Sequence, residues 1–244
     1  MNKVFIPFKG KNFKFLCHKN IACFNKCCYK LDLTLTPYDI LRIKNCLKLS
    51  SDDFLEYYTD INLDEYPPFP IIKLKMQEDG KCPFVSKKGC KIYNDRPSAC
   101  RLYPIARASI NYKKTVEERF FIIQEEHCLG FNEDKEWSID EWLIHQDIKT
   151  YDIFNIPWFE IITSYPEEII KTKDLLFKKM QIFYLASYNL DKFRKFILNK
   201  NFFDLYNIPD SLRKKVKKSE TNMLQFAINW LRFIFIDSKD IYQD

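Results

Sequence analysis
Eight of the chain's nine cysteines fall into groups whose spacing suits joint chemistry. Cys17, Cys23, Cys27 and Cys28 form the first, spaced Cys-x5-Cys-x3-Cys-Cys. Cys82, Cys90 and Cys100 form the second, spaced Cys-x7-Cys-x9-Cys, with Cys128 following after a longer gap. Thiolates are soft ligands that select zinc, copper(I) or iron–sulfur clusters over magnesium and calcium. The eight lie in turn-like surroundings: Cys82 precedes Pro83, Cys90 follows Gly89, Cys100 follows Arg96-Pro97-Ser98-Ala99, and Cys128 precedes Leu129-Gly130. Loops can turn several sulfurs toward one point, where a helix or strand would splay them. The ninth, Cys46, falls inside a predicted helix and reads as a small buried hydrophobe.

The spacing narrows the metal. Structural zinc sites use Cys-x2-4-Cys knuckles, and only Cys23-x3-Cys27 falls in that range, so zinc ribbons fit poorly. The Cys-x3-Cys-x2-Cys arrangement of radical-type clusters fails too, because Cys28 follows Cys27 directly. Adjacent side chains are expected to point apart, which would set Cys27 and Cys28 on different irons or separate metals. A vicinal disulfide would be strained and disfavoured in a reducing compartment. Eight thiolates allow two four-Cys sites, or one such site with spare thiols. His18 and His127 each adjoin a ligand cysteine and offer either an imidazole ligand or a side chain facing elsewhere. His145 falls on a predicted helix. Arg96 and Arg101 flank Cys100 and would raise a cluster's potential, bind a carboxylate or phosphate, or form a surface salt bridge.

The elements that must position these residues are partly readable. Thr36-Pro37-Tyr38-Asp39 gives an N-cap, a first-turn proline and an acid, starting a helix to about Lys48. Ser50 or Ser51 caps a second helix, and Ser138 with Glu141 forms a capping box. Pro166-Glu167-Glu168 starts a stretch to about Ser187, and Ser219 starts another. Ile72, Leu74 and Met76 alternate with lysines as in a half-buried strand; Ile105–Tyr112 and Arg119–Gln124 suit a hairpin. The expected fold class is α+β, mainly helical. A loop-rich cysteine-cluster domain, residues 1–132, carries a small antiparallel β element, and a helical C-terminal region, residues 133–244, packs aromatic residues inward.

The 244 residues and 46% hydrophobic content suffice for a core without disulfide staples. Residues 1–50 hold ten Lys or Arg against two acids, a basic excess that would offset thiolate charge or attract nucleic acid. The N-terminal residues contain no apolar run of signal-peptide length, and Phe226–Ile236 is too short and polar to span a bilayer. The expected location is a reducing cytoplasm, with no membrane partner.

Several blocks resemble the CxxCxxCC, or YkgJ-type, cysteine-cluster family, described as zinc- or iron-chelating domains. They are Phe15-Leu16-Cys17, Cys23 to Cys28, Leu35-Thr36-Pro37-Tyr38-Asp39-Ile40 and Arg42. Cys82-Pro83-Phe84, Gly89-Cys90, Ile92-Tyr93, Asp95-Arg96-Pro97, Cys100-Arg101 and Tyr103-Pro104 follow, and His127-Cys128-Leu129-Gly130 resembles a late element of longer members. The x5 and x3 spacings depart from the Cys-x2-Cys-x2-Cys-Cys of the family name. A more distant likeness is to flagellin lysine-N-methylases. The resemblance implies metal chelation and supplies no reaction. The leading expectation is an iron–sulfur protein, with a [4Fe–4S] cluster held by Cys17, Cys23, Cys27, Cys28, Cys82, Cys90, Cys100 and Cys128. It would serve redox, sensing or structural ends with a protein or redox partner. The alternatives are a zinc-binding interaction module and a cluster-dependent methyltransferase; four glycines leave little room for a nucleotide loop.

Overall fold
The computed structural model describes residues 3–63, 68–112, 115–165, 173–198 and 201–236. They form two compact units interleaved in sequence: Met1–Leu33 with Lys75–Lys149, and Thr34–Leu74 with Thr150–Asp244. A single cut after residue 132 is therefore not how the chain divides. Residues 34–74 belong with the C-terminal helices and 133–149 with the cysteine-bearing part.

The first unit is built on a three-stranded antiparallel sheet in the order β1 (Lys3–Pro7), β8 (Thr115–Glu125), β7 (Ile105–Tyr112). The expected β7–β8 hairpin is present, with Ile105 opposite Ile122 and Tyr112 opposite Thr115. β1 adds a strand the sequence pattern did not signal, placing Lys3 opposite Glu125 and Pro7 opposite Phe121. β2 (Asn12–Lys14) pairs with β9 (Glu136–Ser138), and β5 (Val85–Ser86) with β6 (Gly89–Cys90). Two short helices, α3 (Ser98–Leu102) and α4 (Ile139–His145), complete the unit. Ser138 and Glu141 make the expected capping box at α4, each side chain bonded to the other's backbone amide. An aromatic core of Phe13, Phe15, Ile105 and Trp142 gathers Tyr103, Cys128, Phe131 and Trp137 around it. Phe15 is its hub, edge-on to Phe131 at 5.2 Å, Trp142 at 5.7 Å and Tyr103 at 5.9 Å, a geometry that aromatic quadrupoles favour.

The second unit is helical apart from the β3 (Thr59–Asn62) and β4 (Ile71–Leu74) pair. Ile72 and Leu74 are buried as the alternation requires. α1 (Pro37–Leu47) starts at the expected Thr36 N-cap, which also closes a capping box with Asp39, and α2 (Ser51–Tyr58) starts with Ser50 as N-cap. α6 (Lys173–Tyr188), α7 (Leu190–Leu198), α8 (Phe202–Leu205), α9 (Asp210–Lys218) and α10 (Glu220–Ile236) follow α5 (Ile148–Ser164). The expected helix start at Pro166-Glu167-Glu168 lies outside the described residues. Trp158, Tyr151, Tyr188, Phe183 and Phe193 are fully buried, so the aromatic stripes are core. Lys44 is buried and ion-paired with Glu220 at 2.8 Å and Asp191 at 3.8 Å. Cys46 contradicts expectation: it is exposed, because the buried stretch of α1 ends at Lys44 and the last turn leaves the core. Among the described residues, no helix is long and apolar enough to cross a membrane.

Candidate metal centre
The eight candidate ligands all belong to the first unit. The loop from Ile21 turns into a 3-10 segment, Lys26–Cys28, entered through Asn25 in the left-handed region at φ 68°. Asparagine tolerates that conformation better than most residues. Its Nδ2 donates to the Ser86 carbonyl at 2.9 Å, fastening the first cysteine loop to the β5–β6 turn. The Cys82 amide donates to the Cys28 carbonyl at 2.9 Å, and the Lys30 amide to that of Gly80 at 2.7 Å. Backbone hydrogen bonds thus stitch the first two cysteine blocks side by side. The third joins through the Leu129 amide, which donates to Cys23 Sγ at 3.2 Å, and the Leu16 amide, which donates to the Gly130 carbonyl at 3.0 Å. At Gly130 a Cβ would stand 2.6 Å from the Phe15 ring and 3.1 Å from the Leu16 carbonyl, so only glycine allows this approach.

Cys27 and Cys28 do not point apart. Their sulfurs are 4.0 Å from one another, because a 3-10 turn separates successive side chains by only about 120°. Two thiolates on one tetrahedral ion with bonds of about 2.3 Å stand about 3.8 Å apart, close to the observed separation. It is far too long for a disulfide.

Electrostatics link seven of the eight. The Cys17 residue is exposed, yet partial desolvation of its sulfur, followed by the charges of Cys27, Cys23 and Cys128, pushes its thiol up to about 11. The Cys27 thiol is pushed far above the ordinary range, first by its contact with Cys28, then by burial, and then by the charges of Cys28 and Glu125. Burial raises Cys82, with Cys90 and Cys27 adding to it while the Phe84 and Val85 amides oppose it. Burial likewise raises Cys128, opposed by Tyr103 and the Gly130 amide. These sulfurs are poor thiolates on their own; a cation among them would favour the thiolate form. Cys100 lies within α3 and Cys90 at the end of β6, so these two are in regular structure instead of the expected turns.

The donor chemistry fits a soft metal on a further observation. His127 Nε2 is buried with no hydrogen-bond partner, and the buried Glu125 stands 3.6 Å from it. His18 differs: its Nδ1 accepts from the Asn20 amide at 3.3 Å, and its Nε2 is 3.5 Å from Glu133. His145 lies over Trp137 at 4.6 Å. Among the described residues, no three Cys, His, Asp or Glu side chains are already set to hold an ion. Binding would require side-chain rotations within the gathered set.

Arg96 and Arg101 are structural clamps. The Arg101 guanidinium, in a residue only 5% exposed, donates to the carbonyls of Gln146 at 2.9 Å, Arg96 at 3.3 Å and Asn94. Arg96 donates to the Gln146 side chain and stacks on Tyr93 at 4.0 Å. The sequence reading assigned no role to Tyr103, whose hydroxyl oxygen is buried beside Cys128 with no partner of ordinary hydrogen-bond geometry. Its sequence signals are its place in the resembling Tyr103-Pro104 element and its position three residues after Cys100.

Residues 16–130 match the CxxCxxCC family model, whose description is "putative zinc- or iron-chelating domain". The matched segment holds all eight candidate cysteines. An uncharacterised protein of Methanocaldococcus jannaschii is 33% identical over 127 residues, which cover 50% of this chain and 65% of that protein. The chain thus spans somewhat less than two thirds of the length of that relative. No solved structure matches the chain.

Proposed function
We propose that the first unit is a metal-binding module whose cysteine thiolates hold an iron–sulfur cluster in a reducing compartment, for redox, sensing or structural purposes. One observation carries the reading: the Cys27–Cys28 contact and the hydrogen bonds of Cys82 to Cys28, Leu129 to Cys23 and Leu16 to Gly130 gather thiols from three sequence blocks within one unit. A single tetrahedral zinc uses four, so the pool suits a polynuclear centre. The description of the matching family as zinc- or iron-chelating supports the metal-binding part of the reading. The Cys27–Cys28 separation favours two thiolates on one iron, as in a [2Fe–2S] cluster, over the one thiolate per iron of a [4Fe–4S] cube.

Zinc is the second reading, favoured by that same separation. Purification without oxygen separates the two. The iron reading predicts brown protein with iron and acid-labile sulfide in comparable amounts. Colourless protein with stoichiometric zinc overturns iron in favour of zinc, and protein without either metal overturns both.

A further inference from the structure
Tyr103 carries a buried hydroxyl without a partner of ordinary hydrogen-bond geometry, although its surroundings are built to hold it still. It closes α3 and precedes β7. Its ring packs edge-on against Phe15 at 5.9 Å, and Tyr103 and Cys128 pack on the same core of Phe13, Phe15, Ile105 and Trp142. The hydroxyl oxygen is shut off from solvent and lacks a partner of ordinary geometry, while the Cys128 sulfur lies beside it. Buried hydroxyls are nearly always paired, and an unpaired one is destabilising.

We propose that Tyr103 is a positioning residue for the metal centre: its hydroxyl donates a hydrogen bond to the Cys128 sulfur when that sulfur becomes a metal-bound thiolate. This rests on the thiolate–metal reading above. A neutral thiol is a weak acceptor, whereas a thiolate is a charged one, and hydrogen bonds to charged acceptors are about twice as strong as neutral ones. Metal binding therefore turns a weak neighbour of the hydroxyl into a strong, charged acceptor. The Gly130 amide supports the same sulfur from the backbone, so Cys128 would be held by two donors while the metal occupies its remaining direction. Partners of this kind fix ligand orientation and tune the metal.

Cobalt(II) titrated into the reduced, metal-free full chain provides the test, read by the thiolate-to-cobalt absorption. Tyr103→Phe removes only the oxygen and keeps the ring against Phe15. The expected result is an affinity loss of about 10-fold or more and a shifted charge-transfer band, while the melting temperature of the metal-free chain is unchanged or raised. A merely structural tyrosine would lower that melting temperature and leave the band in place. In a Cys128→Ser background, Tyr103→Phe should change neither affinity nor band. Equal affinity and an identical band in wild type and Tyr103→Phe overturn the proposal with the metal reading intact. Wild-type chain that takes up no cobalt overturns the metal reading, and the proposal with it.

Discussion
Replacing Gly130 by alanine tests whether the third cysteine block is docked as described. The new Cβ would meet the Phe15 ring at 2.6 and 3.1 Å and the Leu16 carbonyl at 3.1 Å. The ring has little room to retreat, being 3% exposed and wedged among Tyr103, Phe131 and Trp142. Overpacking of this kind costs about 1–3 kcal/mol. Alanine restrains the unfolded chain and offsets about 0.4–1 kcal/mol of that, but the same offset acts in any glycine-to-alanine control, so relative to such a control the loss stays at about 1–3 kcal/mol. For a chain of this length that difference corresponds to a melting temperature lower than the control's by about 2–12 °C. Gly10→Ala is the control, since its Cβ would make ordinary contacts at 3.4 Å and beyond. Urea unfolding of the two variants and wild type, with metal removed, gives the comparison. Metal affinity should fall with Gly130→Ala as well, because the Leu16–Gly130 hydrogen bond holds the Cys17 segment against the Cys128 loop. If Gly130→Ala proves as stable as Gly10→Ala, the close approach of Phe15 and Gly130 is refuted.

Asn25→Gly should lose only the Ser86 hydrogen bond, about 1 kcal/mol, while Asn25→Ala adds the left-handed penalty of roughly another 1 kcal/mol. Equal unfolding midpoints for the two would contradict the φ of 68°. Arg101→Leu leaves the buried Gln146 carbonyl and the part-buried Arg96 and Asn94 carbonyls short of a donor, and a loss of about 1–3 kcal/mol in chemical unfolding is expected. The metal-free chain should weaken as pH rises. Cys17 ionises near 9.0 when unfolded and near 11 when folded, so its contribution is complete below 9.0 and is lost on rising through 11. Cys27, Cys82 and Cys128 are shifted in the same direction. Solvent screening at the exposed Cys17 reduces its share, but the sign stands: a urea midpoint that rises between neutral pH and pH about 10 would refute it.

Local chemistry was the legible part of this sequence. Thr36 with Asp39, and Ser138 with Glu141, announce helix starts because a capping box is complete within four residues. The alternation at Ile72 and Leu74 announces a strand because burial on one face imposes period two. What escaped depends on partners distant in sequence. β1 is a strand because β8, more than a hundred residues later, offers it an edge. Lys44 is buried because Glu220 and Asp191 come to meet it, and that anchoring leaves Cys46 on the exposed turn beyond. At the candidate centre, composition and spacing picked out the thiols. The closeness of Cys27 and Cys28 depends on a 3-10 turn that no residue type encodes, and a role for Tyr103 became visible only through its buried oxygen.

X-ray absorption at the metal edge of chain purified without oxygen tests the central claim most directly. The account predicts a first shell of sulfur at about 2.3 Å, with a second metal scatterer behind it if the centre is polynuclear. A first shell composed of oxygen and nitrogen alone, around whatever metal co-purifies, would contradict a thiolate centre.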